Sequence, residues 1–173
     1  MITFDKPLKY GLIAGLALVT YSVLMYAMDV SVLNPIFAIT NVLITFGVTI
    51  TLAVMAVNKM RVTDFDGTIT YFQAFIAVFV VLIVAFYMAN IFDYLLNGLI
   101  DPENLPRKVD DFLLTMEGKV PEETFDELVN TLSKNIDPLK NLVKSLWLNP
   151  LMAIGLSAIV SIFVKKKPVD KLV

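Results

Sequence analysis

The chain has 173 residues, 57% of them hydrophobic, with a mean hydropathy of +0.75 and a net charge of −2. That is more apolar than a water-soluble domain of this length, and the charge is wrong for a nucleic-acid partner. Cysteine and histidine are both missing, which excludes disulfides, thiol nucleophiles, imidazole bases and nearly every zinc site; no cofactor is expected.

Four apolar runs, 10–28, 36–57, 75–92 and 145–164, approach or reach the roughly 20 residues that cross a bilayer as helix. Backbone polar groups in lipid must bond internally, so each run predicts a transmembrane helix. The fold class expected is all-α: a polytopic membrane protein of two helical hairpins. Residues 1–92 hold three spans, 93–144 form a polar helical segment, and 145–173 hold the fourth span and a basic tail.

The first run follows Lys6 and Lys9, a pattern shared with secretory signals. Its apolar core exceeds the about 7–15 residues of such a signal, and Tyr26-Ala27-Met28-Asp29 offers no small-x-small cleavage site. It is read as a retained span. Gly11 and Gly15 make a GxxxG pair that admits another backbone at close range. After Asp29 a tight turn leads to Asn34-Pro35, where proline suits the first turn of the second helix.

A loop is expected at 58–67. It contains Asp64-Phe65-Asp66-Gly67-Thr68, which matches the haloacid-dehalogenase phosphatase signature. That chemistry needs a strand-borne aspartate inside a large α/β domain, and membrane spans on both sides leave no room for one. The structural reading is a turn ending at Gly67, with Thr68 or Thr70 capping the third helix.

Beyond Asn97-Gly98 the polar segment begins. Pro106 opens one helix with apolar Leu105, Val109, Phe112, Leu113 and Met116, and Gly118 ends it. Pro121 starts a second helix, with Glu122 and Glu123 where the dipole favours acids. Phe125, Leu128, Val129, Leu132 and Ile136 form its helical stripe. The pair is expected to lie antiparallel, with Phe112 against Phe125 or Leu128. Asp137-Pro138 then combines an N-cap with an N1 proline, from which a helix runs into the fourth span and through Asn149-Pro150.

Basic residues orient the chain. Lys6, Lys9, Lys59, Arg61, Lys165, Lys166, Lys167 and Lys171 collect in short segments on one side. Both termini are therefore expected in the cytoplasm and 93–144 outside. The two halves also resemble each other: Tyr10 and Tyr26 repeat as Tyr71 and Tyr87, and Asn34-Pro35 as Asn149-Pro150. An internal duplication would make the repeats parallel about an axis along the membrane normal. Ala153, Ser157 and Ser161 share one face of the fourth span. With Gly11 and Gly15 they are expected to pack spans one and four together, a dimer face being the competing use of the glycines.

Lys9-Tyr10-Gly11 with Gly15, the run from Asp66 to Phe75, the acidic helix after Pro121, and Asn149-Pro150 before a lysine-ended span together resemble the uncharacterised bacterial membrane-protein family DUF4199. Val120 departs from the serine or threonine cap expected before Pro121. The resemblance implies a four-span inner-membrane protein and carries no activity or catalytic residue with it.

With no motif for chemistry, the leading expectation is a non-enzymatic accessory or scaffold subunit of the bacterial inner membrane. Phe112, Met116, Phe125, Leu128 and Leu132 would offer its docking surface to a membrane-protein partner, with self-association as an option. The alternative is a small transporter or channel component. Against it, the predicted spans hold no ionisable residue, and Asp29 and Asp93 fall at their edges. Asn41, Thr45, Thr49, Asn90, Ser157 and Ser161 would be its polar lining, or would simply bond between helices.

Overall fold

The computed structural model describes residues 4–31 and 33–166; Lys167 and Lys171 of the basic tail lie outside them. The chain is an all-α polytopic membrane protein, and four of its helices are long and apolar enough to span a bilayer. In chain order these are α1 (Asp5–Ala27), α2 (Pro35–Asp64), α3 (Tyr71–Leu95, continued by a π-helical turn at Leu96–Ile100) and α6 (Pro138–Val164). The shorter α4 (Asn104–Met116) and α5 (Glu122–Lys134) lie between α3 and α6.

Local chemistry sets most of these boundaries. Asn34 accepts a hydrogen bond from the Ile36 amide at 3.1 Å, with Pro35 following at the first helical position. Thr70 and Gln73 form a reciprocal capping box at the start of α3, satisfying two otherwise orphaned donors. Asp137 caps α6 by accepting from the Lys140 amide at 3.1 Å. The loop expected at 58–67 is mostly helix, because α2 continues to Asp64. Its polar residues, Asn58, Lys59 and Arg61, mark departure from the apolar layer and not an end to helical hydrogen bonding. Buried Met60 keeps these turns packed.

The phosphatase-like motif is a turn. Asp66 and Gly67 take left-handed φ values of 47° and 85°, and the Gly67 amide donates back to the Arg61 carbonyl at 2.8 Å. Asp64 is paired with Lys6 from the start of α1. Buried Ile69 then bridges Lys166, each amide donating to the other's carbonyl at 2.9 Å. Lys165 lies 6.0 Å from the centre of the Tyr71 ring. The loop after α2, the start of α1 and the end of α6 are thus tied together at one end of the bundle.

α3 is the hub and packs against α1, α2 and α6 alike. Its inward residues Ala74, Ala77, Val78, Val81, Leu82 and Ala85 are all inaccessible. Lipid supplies no hydrophobic force between helices, so such small residues are what permit close packing. The partner expected for the glycines is corrected here. A Cβ on Gly11 would lie 2.9 Å from Val84 and 3.2 Å from the Val81 backbone, and one on Gly15 would meet Met88. Both glycines face α3, so span one does not close the bundle against span four. The same contact fills the face that a glycine-mediated dimer would use. Ala153, Ser157 and Ser161 of α6 are fully buried, and α6 makes its main contacts with α3 as well. With Ser145 and Asn149 they form one ridge of four-residue spacing, the row that packs helices.

Pro150 lies inside α6. Having no N–H, it leaves the Leu146 carbonyl without its helical donor. The Tyr87 hydroxyl of α3 donates to that carbonyl at 3.1 Å, supplying from a neighbour what lipid cannot.

Candidate functional site

Towards the α4 end, the packing changes. The residues facing inward are no longer small and apolar but polar and longer, and they hold the four spans apart around a cavity of about 270 Å³. α1 contributes Tyr21 and Ser22, α2 contributes Asn41 and Thr45, α3 contributes Asn90 and Asp93, and α6 contributes Asn149. Phe86 and Met152 form apolar parts of the wall. A second cavity, about 210 Å³, shares Tyr21, Ser22, Asn41 and Asp93 with the first and is bounded by Asn104, Leu105 and Lys108 of α4.

Asp93 stands where the two meet. It lies within the apolar helical stretch Tyr71–Ile100, and among the described residues it is the only charged one lining the larger cavity. The π-helical turn after α3 brings Asn97 beneath it. The Asn97 amide donates to the Asp93 carboxylate at 2.8 Å and to its carbonyl at 3.1 Å, while its oxygen accepts from Asn104 at 2.8 Å. Asp93 makes no ion pair among the described residues.

Some polar atoms around this space are buried without a partner among the described residues: the Tyr21 hydroxyl, the Asn149 amide nitrogen and the Asn104 amide oxygen. Asn149 and Asn104 are only 7% and 5% exposed. Interiors pair more than nine in ten such groups, so an unpaired set spread over two adjoining cavities calls for a reason. The Ser157 and Ser161 hydroxyls are unpaired too, but they lie in the packed part of the bundle, away from the cavity lining.

α4 roofs the smaller cavity and is fastened to the bundle by side chains. Lys108 donates to the Val30 carbonyl at 2.8 Å, and the Tyr26 hydroxyl donates to Asp101 at 3.0 Å. Arg107 and Lys108 approach Asp29 at 3.6 and 3.9 Å; Asp29 is so exposed that these pairs add little. Burial pulls the Lys108 ammonium below its ordinary range, and the Asp29 carboxylate works against that shift.

The other residues named from sequence divide between two grooves. Phe112 and Met116 of α4 face Asn34 and Pro35 across a groove of about 230 Å³. Phe125 of α5 lines a shallower groove with Leu113 and Leu114. Leu128 and Leu132 are half-buried, and α5 buries no residue fully. Of the polar residues considered from sequence, Asn41, Thr45 and Asn90 come together on the cavity; Thr49 bonds back to the Thr45 carbonyl at 2.7 Å. Tyr21, Ser22 and Asn104 carry no sequence pattern of their own, and Asn97 stands out there only as the start of the polar segment. Their one signal is their polarity, on α1 and after α3.

The model of the family described as Protein of unknown function (DUF4199) matches residues 9–166. No curated protein and no solved structure matches the chain.

Proposed function

The chain belongs to the DUF4199 family, and for this member we propose a non-enzymatic role as a small transporter or channel component whose solute site is the polar cavity. One observation carries the reading. Asp93, a carboxylate within a span and without an ion pair among the described residues, shares a cavity with buried polar atoms that have no protein partner. Ionisable groups are costly inside a bilayer, and those that persist there ordinarily serve substrates, ions or protons. In this reading both termini face the cytoplasm of a bacterial inner membrane, and α4 and α5 lie outside. Purified protein in liposomes should move a solute that empty liposomes retain, and Asp93→Asn should abolish that flux. If neither ionic nor neutral small solutes cross faster than through empty liposomes, the transport reading fails. For orientation, Glu123→Cys should react with an impermeant thiol reagent on intact cells and Val62→Cys only after permeabilisation; the reverse pattern inverts the topology.

A second reading, an accessory or scaffold subunit, draws on α5. Among the described residues this helix has α4 as its main packing partner and buries no residue fully. A membrane-protein partner or a second copy would cover the rest of its apolar stripe. Mild-detergent purification should then yield a complex of fixed stoichiometry that Leu128→Asp dissolves while the bundle stays folded. A monomer unaffected by that change removes the scaffold reading.

A further inference from the structure

We propose that the cavity between the four spans takes a small organic ammonium ion that also carries a hydrogen-bond acceptor, with Asp93 as its counter-charge. The proposal rests on the reading of the cavity as a solute site and names the class of solute.

Charge selects the sign. Among the described residues Asp93 is the only charged one on the larger cavity, and Lys108, on the smaller one, is already committed to the Val30 carbonyl. A single carboxylate between low-dielectric helices attracts a cation and repels an anion.

Coordination narrows the kind of cation. A hard divalent ion takes about 6–8 oxygen ligands, several of them anionic. The described residues contain no group of three His, Cys, Asp or Glu able to hold a metal. The volume, about 270 Å³, is also far larger than a bare ion and several times the roughly 30 Å³ share of one water molecule in the liquid. It suits an organic ion of several heavy atoms.

The walls complete the match. The rings of Tyr21 and Phe86 and the thioether of Met152 give a cation aromatic and polarisable surface. Around Asp93, the amides of Asn90 and Asn97 are held by bonds to the Phe86 carbonyl and to Asp93 itself, so the site's acceptors are fixed in place. The Tyr21 hydroxyl and the Asn149 amide nitrogen are donors without a protein acceptor. They suit an oxygen on the same molecule that brings the positive charge.

The test uses the full chain in nanodiscs and measures binding of choline, tetramethylammonium, sodium, acetate and glycerol. Choline, which has both groups, should bind most tightly, and tetramethylammonium, which lacks the oxygen, more weakly. Acetate and glycerol should not bind. Asp93→Asn keeps the acceptor oxygen for Asn97 and should weaken choline at least about tenfold, as expected for loss of a charge-assisted contact. Asn149→Leu should remove the advantage of choline over tetramethylammonium. Should Asp93→Asn not fold, this second variant decides by itself. Choline binding that survives both changes overturns the assignment, and so does failure of both ammonium ions to bind. Acetate or glycerol binding that Asn149→Leu abolishes overturns the ammonium class yet keeps the solute-site reading. Binding by no solute, with no flux in liposomes, removes both.

Discussion

The two ends of the bundle are built from the same four spans and solve opposite problems. At the end holding Lys6, Asp64 and Lys166, glycine, alanine, valine and buried serine let the helices close completely, and paired residues stitch the connections. At the α4 end, tyrosine, asparagine and aspartate hold the helices apart and leave polar atoms unmatched. α6 belongs to both, with Ser157 and Ser161 in the closed half and Asn149 in the open one. The difference teaches where stability and binding reside in so small a membrane protein. The closed end holds the structure, and the open end tolerates groups that a core optimised for stability would lack.

If that division is right, substitutions at the two ends should separate in thermal unfolding in detergent. The largest loss is expected for Gly11→Leu, because a Cβ there already meets the Val81 backbone at 3.2 Å. Overpacking of this kind costs about 1–3 kcal/mol, and more when backbone must shift. Gly155→Leu, with nothing within 4 Å of a Cβ built there, is the matched control and should not lower the midpoint. Equal effects of the two would break the account of the closed end.

Tyr87→Phe is next. It strips the Leu146 carbonyl of the donor that replaces the missing Pro150 amide, and an acceptor left unpaired away from water costs about 1–3 kcal/mol. Restoring the amide with Pro150→Ala should remove most of that loss, so the double variant should fall well short of additivity. A fully additive pair would mean the hydroxyl does not serve that carbonyl. Thr70→Ala, which removes the capping box at the start of α3, should lower stability by about 1 kcal/mol.

The smallest effect should come from the open end. Asn149 is 7% exposed and its amide nitrogen has no protein partner, so Asn149→Leu discards no protein hydrogen bond from that atom. Without solute the midpoint should stay within about 0.5 kcal/mol of the parent, or rise. A loss as large as that of Gly11→Leu would show that the open end carries structural weight and erase the contrast.

Much of this arrangement is legible in the sequence, for local reasons. Apolar length marks the spans, and Asn34, Thr70 and Asp137 act as caps through bonds to amides two or three residues away. What failed to show depends on neighbours in space. The sequence offers Gly11 and Gly15 as a close-approach surface but does not say which helix meets it; α3 does. Asp93 falls where the apolar run pauses, and the sequence does not show that the helix goes on to Leu95 and, as a π-helical turn, to Ile100. The cavity was not visible because its polar residues come from four helices, one or two from most of them, and no single stretch is distinctive.

The position of α3 also bears on how the protein is made. Chain order delivers α1 and α2 to the membrane first, but the glycine face of α1 has nothing to close on until α3 arrives. The side of α3 that receives α6 then waits for residues 101–137 to be synthesised, a matter of seconds at about 5–20 residues per second. During that interval lipid covers this side of α3, and the Tyr87 hydroxyl is without the Leu146 carbonyl that it later bonds. The late-arriving helix brings Ser157, Ser161 and Asn149 with it, so the most polar inward ridge of the bundle reaches the bilayer only when its berth on α3 is already there.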